Sequence, residues 1–242
     1  MKKRLIKKIT NFESRKKYKI NRNLRFLLFK RFGWMKKQLK NKKIIIEIGS
    51  GNGLSKKILG NKIILTDIFN AKWIDFRLEM NVMKLSSKYK NKVDIFILNH
   101  SLHHSDNPYK LFRKLNKFLK VDGKILINDP EISFFFKFFL IICNHERWSF
   151  KKNDWKDNNA TAHILFNNRR VNQVFLKNYT IEKNVINEFI IFLNSGGNGV
   201  ASPYIELSPF FLSLVDKLDN LLIRLSPNIF ALNRSVILRK KQ

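Results

Sequence analysis

At 242 residues the chain can bury one substantial core, and 44% apolar with 13% aromatic residues excludes global disorder. Its 48 Lys+Arg against 18 Asp+Glu give a formal charge of +30, which favours anionic partners such as nucleic acid or acidic lipid, although no aromatic-interleaved RNA-binding run and no zinc-finger spacing accompanies it. The single cysteine, Cys143, excludes an internal disulfide and fits a reducing compartment.

The opening MKKRLIKKITNFESRKKYK is basic but lacks the apolar core of a secretory signal, so a cytoplasmic location is expected. Residues 1–40 read as a basic lead-in in which Leu24, Phe26, Leu27, Leu28, Phe32 and Trp34 are spaced for one or two helices. From 42 to 130 the pattern alternates. KKIIIEIG is a strand, LSKKILG a short helix closed by Gly60, and NKIILTD a second strand. IDFRLEMNV is a weak third strand and VDIFILN a strong fourth. In NPYKLFRKLNKFLKVDG, Leu111, Leu115, Phe118 and Leu119 share a helical face and Gly123 supplies the stop, before GKILIND as a fifth strand. Such alternation implies a parallel sheet covered on both sides.

Between 131 and 160 the alternation breaks. ISFFFKFFLIIC, at 132–143, carries Lys137 and falls short of the roughly 20 residues of a spanning helix, so it is expected to be buried or to dip into a surface. HILFNNRRVNQVFL then predicts a helix and YTIEKNVINEF a strand. Phe211, Leu214, Val215, Leu218, Leu221, Leu222 and Leu225 recur at helical spacing, and RSVILRKK closes the chain as a last strand. One domain is expected over 1–242, with 42–130 as its ligand-binding core and 131–160 and 190–232 as additions on the acceptor side.

The chemistry starts at EIGSGNG. Three of the chain's 9 glycines, Gly49, Gly51 and Gly53, follow a strand directly, where absent Cβ atoms let a ligand approach the backbone at the carboxyl end of a parallel sheet. Leu54 breaks the dinucleotide pattern G-x-G-x-x-G, and the phosphate loop G-x-x-x-x-G-K-[ST] is missing. Asp67 ends the second strand beside this turn, and a carboxylate there can accept two ribose hydroxyls. An adenosine-containing ligand therefore fits, and with Glu47 nearby a cationic one fits better.

Over 44 to about 130 the chain resembles the class I S-adenosylmethionine-dependent methyltransferases, the type 11 branch in particular. EIGSGNG matches the glycine motif, Asp67 the ribose-binding acid, ILNHSLHH (97–104) the strand-four motif, and FLKVDGKILI the helix-to-strand motif with Asp122 in place of its first glycine. The resemblance implies a Rossmann-like α/β fold of seven mostly parallel strands with an antiparallel last strand and helices on both faces. It implies S-adenosylmethionine as cofactor, bound by Glu47, Gly49, Ser50 and Gly51, with Asp67 on the ribose and Asn81 and Val82 bordering the adenine. Asn81 stands where the family usually has an Asp, and its amide oxygen can still accept the adenine amino group. Asn99 either caps strand four or lies near the methionine moiety.

WKDNNATAHILF, LNSGGNG and the leucine-rich helix are similar to a subgroup linked to surface polysaccharide or lipid-linked glycan synthesis, which carries a His-Glu pair after strand five, here His145 and Glu146. A hydroxyl acceptor needs a base. His145 oriented by Glu146 is one candidate; His103 and His104 are others, unless they only cap their loop. Methyl transfer to a sugar or lipid-linked glycan hydroxyl is expected, with peripheral membrane contact as a further expectation. An RNA or other nucleic-acid methyltransferase and a non-catalytic partner protein are the alternatives. A nucleic-acid enzyme would concentrate Lys and Arg at the pocket mouth.

Overall fold

The computed structural model of the chain describes residues 10–143, 147–151, 153–167, 177–198 and 201–242. Its strands are β1 (Ile45–Ile48), β2 (Ile63–Asp67), β3 (Phe76–Arg77), β4 (Val93–Asn99), β5 (Leu119–Pro130), β6 (Tyr179–Asn187) and β7 (Asn233–Lys240). They form one sheet in the order β3-β2-β1-β4-β5-β7-β6, and β7 runs antiparallel to both its neighbours while β1 to β5 pair in parallel. The seven-stranded sheet and antiparallel last strand expected from the sequence are present.

Side-chain alternation builds two layers. Ile46, Ile48, Phe96, Leu98, Ile125 and Ile127 point to one face, against α4 (Pro108–Phe118) and α6 (Thr161–Asn167). Ile45, Ile95, Ile97 and Leu126 point to the other, against α2 (Arg22–Lys36) and α3 (Ser55–Leu59). Covering on both faces is why VDIFILN is an unbroken apolar run apart from Asp94 and Asn99. Asp94 sits at the strand's start, where its Oδ2 accepts the N–H groups of Lys43 and Ile44, both at 2.9 Å.

The lead-in supplies two capped helices. Thr10 and Glu13 form a reciprocal capping box on α1 (Asn11–Ile20), and Asn21 accepts from Leu24 N–H to start α2. At the carboxyl edge of the sheet, α5 (Phe134–Cys143), α7 (Ile190–Leu193), α8 (Pro209–Leu225) and α9 (Pro227–Phe230) contribute to an aromatic-rich cluster that includes Phe136, Phe189, Ile223 and Leu232.

Two sequence expectations need correction. The helix predicted to stop at Gly123 ends at Phe118, because Leu119 already pairs with Val93 and Lys240 Nζ takes the carbonyls of Asn116 and Leu119. Gly123 instead occupies the register shift of the β4–β5 ladder, where a Cβ would stand 2.8 Å from Lys120 O. Preceding it, Asp122 has φ +59, a conformation that Asp tolerates better than most residues. The weak strand over IDFRLEMNV shrinks to Phe76–Arg77, since β2 ends at Asp67 and offers no further partner. The leucine row forms the expected helix, α8, in which Leu212, Asp219 and Ile223 are the buried residues, while Phe211, Leu214, Leu218, Leu221 and Leu225 are exposed. The helix predicted over 163–176 covers Thr161–Asn167; its remainder lies outside the described residues.

Candidate active site

The glycine turn occupies the point where strand order reverses, between β1 and β4, at the carboxyl edge. Gly49, Gly51 and Gly53 all have positive φ, at 70°, 52° and 64°. A Cβ on Gly49 would lie 2.7 Å from Ser101 Cβ, and one on Gly53 2.7 Å from Trp73 Cδ1, so both positions demand glycine for space and for conformation. Gly51 N–H donates to Asp67 Oδ2 at 2.7 Å and Trp73 Nε1 to Gly51 O at 2.9 Å. Arg15 of α1 donates to Asn52 O at 2.7 Å and lies 4.5 Å over the Trp73 ring. Thus the basic lead-in, chemically silent in the sequence, braces the turn.

Two cavities meet here. The larger, of about 740 Å³, is lined by Gly49, Gly51, Asp67, Glu79, Asn81 and Ser101 among others. Glycines without Cβ atoms and a carboxylate at the β2 terminus are what an adenosine-bearing sulfonium needs, so the residues fit S-adenosylmethionine. The smaller, of about 270 Å³, has an apolar wall of Phe136, Phe139, Leu140 and Phe192 facing Arg31, the histidines and Asn159. Asn11, His100 and His104 line both.

The sequence-predicted cofactor residues divide. Gly49, Gly51, Asp67 and Asn81 line the large cavity; Asn81 Oδ1 also accepts Asp106 N–H at 2.9 Å. Glu47 and Ser50 stand behind the turn. Ser50 clasps β1 to β2, its Oγ donating to Glu47 O at 3.2 Å and accepting Thr66 N–H at 3.1 Å, while Glu47 takes a short hydrogen bond from Ser55 Oγ. Burial drives the Glu47 carboxyl up to about 8, against the pull of Ser55 and Ser50 and with the charge of Asp67 adding to it. Val82 is exposed, and its carbonyl accepts from Lys114 Nζ at 3.1 Å. Asn99 is half-buried at the end of β4, 3.4 Å from Asn128 Nδ2. None of Glu47, Ser50, Val82 and Asn99 is among the cavity-lining residues.

Of the candidate bases, His145 and Glu146 lie outside the described residues. His103 is buried with Nδ1 2.9 Å from Asp129 Oδ1. His104, more open, has Nδ1 2.9 Å from Asp157 Oδ1, and its ring lies 4.1 Å from that of His103. Glu131 is clamped by Arg234 Nε and His163 Nδ1, both at 2.6 Å, and serves structure. His100 has a positive φ of 50° and a buried Nε2 with no hydrogen-bond partner among the described residues. Burial, then the charges of Arg31, His103 and His104, hold its pKa well below the usual imidazole range, with Asn233 opposing, so the ring is neutral. Ser202 Oγ, on the same small cavity, is also buried and has no hydrogen-bond partner among the described residues. No local pattern in the sequence marks Asn11, Trp73 or Ser202, and Asp157 stands in the WKDNNATAHILF stretch with no role assigned to it there; each reaches the site through tertiary contacts.

A family model described as "Methyltransferase domain" matches residues 12–179. Among solved structures, the chain is similar to the YcgJ protein of Bacillus subtilis (TM-score 0.50, 13% identity, 88% of this chain and 98% of that one). It is also similar to a SAM-dependent methyltransferase from Archaeoglobus fulgidus (0.47, 18%, 89% and 99%) and to an S-adenosylmethionine-dependent methyltransferase from Mesorhizobium loti (0.46, 10%, 86% and 97%). No curated protein gives a significant match.

Proposed function

Since this chain belongs to the methyltransferase-domain family and is an S-adenosylmethionine-dependent methyltransferase, we propose that its acceptor is a hydroxyl of a sugar or lipid-linked glycan and that His104 is the general base. The observation that carries this reading is the histidine cluster at the junction of the two cavities, with His100 and His104 lining both. S-adenosylmethionine supplies a methyl group on a sulfonium, an electrophile that needs no acid assistance. A hydroxyl acceptor must lose its proton, and the chain has a place for it.

With Nδ1–H donated to Asp157, the lone pair of His104 stays on Nε2 and its ring orientation is set. Being open to solvent, His104 can pass the proton on to water. His103, held by Asp129, supports His104 from beneath as a positioning residue. Neutral His100 and Ser202 Oγ offer further hydrogen-bonding atoms, and the aromatic wall suits the apolar face of a sugar ring or a lipid. The large cavity is lined by Asp67, Glu79 and Asp157 against Arg77, which speaks for a small acceptor over a nucleic acid.

The test is transfer of labelled methyl from S-adenosylmethionine to a panel of sugars, glycosides and lipid-linked glycans, with products identified by mass spectrometry. An O-methyl ether is expected. His104→Ala should lower turnover at least tenfold, within the roughly 10²–10⁴ range of base catalysis, with calorimetric cofactor affinity nearly unchanged. Label found only on nitrogen, carbon or RNA, or full turnover in the variant, would overturn the reading.

A further inference from the structure

The 17-residue helix α8 carries its apolar residues on the wrong side for a core helix. Phe210, Phe211, Leu214, Leu218, Leu221 and Leu225 are 72%, 53%, 52%, 42%, 54% and 71% exposed. At 3.6 residues per turn they form one continuous outward stripe about 100° wide. Beside the stripe run Ser213, Lys217, Asn220 and Arg224, all exposed. The helix has two acids, and both are turned away: Asp219 is fully buried, and Asp216 is paired with Lys30 of α2. Lys217 and Arg224 take part in no ion pair among the described residues. The outer face is therefore apolar along one side, cationic along the other and free of acid. It belongs to a chain of formal charge +30.

We infer that α8 is an in-plane anchor that docks the enzyme on an anionic lipid surface, with the leucine and phenylalanine stripe in the acyl boundary and Lys217 and Arg224 at the headgroups. A contiguous exposed apolar stripe on a folded domain marks an interaction site, and the charge selects the partner. A second copy of this chain would bring the same cations face to face, whereas an anionic bilayer complements them. Next to α8, helix α9 packs against both α8 and α5. On α5, Phe136, Phe139 and Leu140 wall the small cavity, while Phe134, Phe138 and Ile141 are exposed. The anchor thus adjoins the acceptor chamber. The inference goes beyond the acceptor assignment and stands without it, because its readout is lipid binding.

Flotation of the 242-residue chain with phosphatidylglycerol–phosphatidylcholine vesicles and with pure phosphatidylcholine vesicles tests it. Partitioning is expected to be at least tenfold stronger on the anionic vesicles and to weaken as salt rises. The double variant Leu214→Asp/Leu221→Asp should lose vesicle binding at least tenfold while keeping its calorimetric affinity for S-adenosylmethionine. Lys217→Glu/Arg224→Glu, which leaves the stripe intact, should abolish the preference for phosphatidylglycerol. Equal partitioning of wild type and both variants would overturn the inference. So would sedimentation as a dimer that the Leu214→Asp/Leu221→Asp change dissociates, since the stripe would then belong to a second copy.

Discussion

Glu47 lies beneath the glycine turn with its carboxyl against Ser55 and Ser50. Burial is the first cause of its rise from 4.5 to about 8. Between those values the folded protein keeps a proton that the unfolded chain releases, so this contribution to stability is fully present below 4.5 and is lost as pH rises through about 8. A glutamine has no such dependence. Glu47→Gln should therefore melt close to wild type near pH ~5 and gain on it progressively toward pH ~9, by roughly 10 °C. Melting curves that stay parallel across that range would show the carboxyl ionised throughout. At the same scale, EIGSGNG was legible as a ligand turn because glycine at positive φ leaves a mark in composition, and Asp67 was legible because it ends a strand beside that turn. Glu47 was legible as an acid at the strand end, but its side chain stands behind the turn, a direction that only the tertiary packing fixes.

Helix α8 shows the same limit one level up. Its existence follows from leucine spacing with Ser208 as N-cap and Pro209 at the first position. Its rotation does not. Asp219 accepts the N–H groups of Phe189, Ile190 and Ile191 at 3.2, 2.8 and 3.3 Å, capping the short helix α7, and this inward contact turns the leucine row out. Burial raises the Asp219 pKa, with the three N–H groups and Lys30 opposing. Asp219→Ala would strand buried donors at about 1–3 kcal/mol. A fall in melting temperature of roughly 2–10 °C is expected, partly recovered by Asp219→Asn, which keeps one acceptor. An unchanged melt would mean that α7 needs no cap.

Across the whole molecule, one buried ion pair ties the lead-in to the far edge of the sheet. Arg31 of α2 gives Nε to Glu188 Oε1 at 2.8 Å and Nη2 to Oε2 at 2.6 Å, with both side chains 2% exposed. Glu188 follows β6 and has φ +63, and Arg31 also lines the smaller cavity. Glu188→Ala would leave an uncompensated buried guanidinium, costing about 3–5 kcal/mol. Urea denaturation should show that loss as a lower midpoint with a similar slope. A midpoint within experimental error of wild type would mean that solvent reaches Arg31 once its partner is gone. Hydrogen bonds between distant segments add to this ion pair: Lys17 Nζ donates to Gly196 O, Asn21 Nδ2 to Ser195 O and Asn52 Nδ2 to Asn198 Oδ1, tying residues 195–198 to the lead-in and to the glycine loop.

The sequence by itself determined the sheet, the glycine turn after β1 and the acid that ends β2, because strand periodicity, positive-φ glycines and strand ends are local and leave local patterns. Tertiary structure decided which histidines share the smaller cavity. It also decided that His103 and His104 each meet an acid 26 and 53 residues away, and that the basic lead-in closes on the turn. It alone chose which side of α8 faces water. Those outcomes depend on hydrogen bonds and buried charges between distant segments, whose pairing follows from the whole packed chain and is encoded in no short stretch of it.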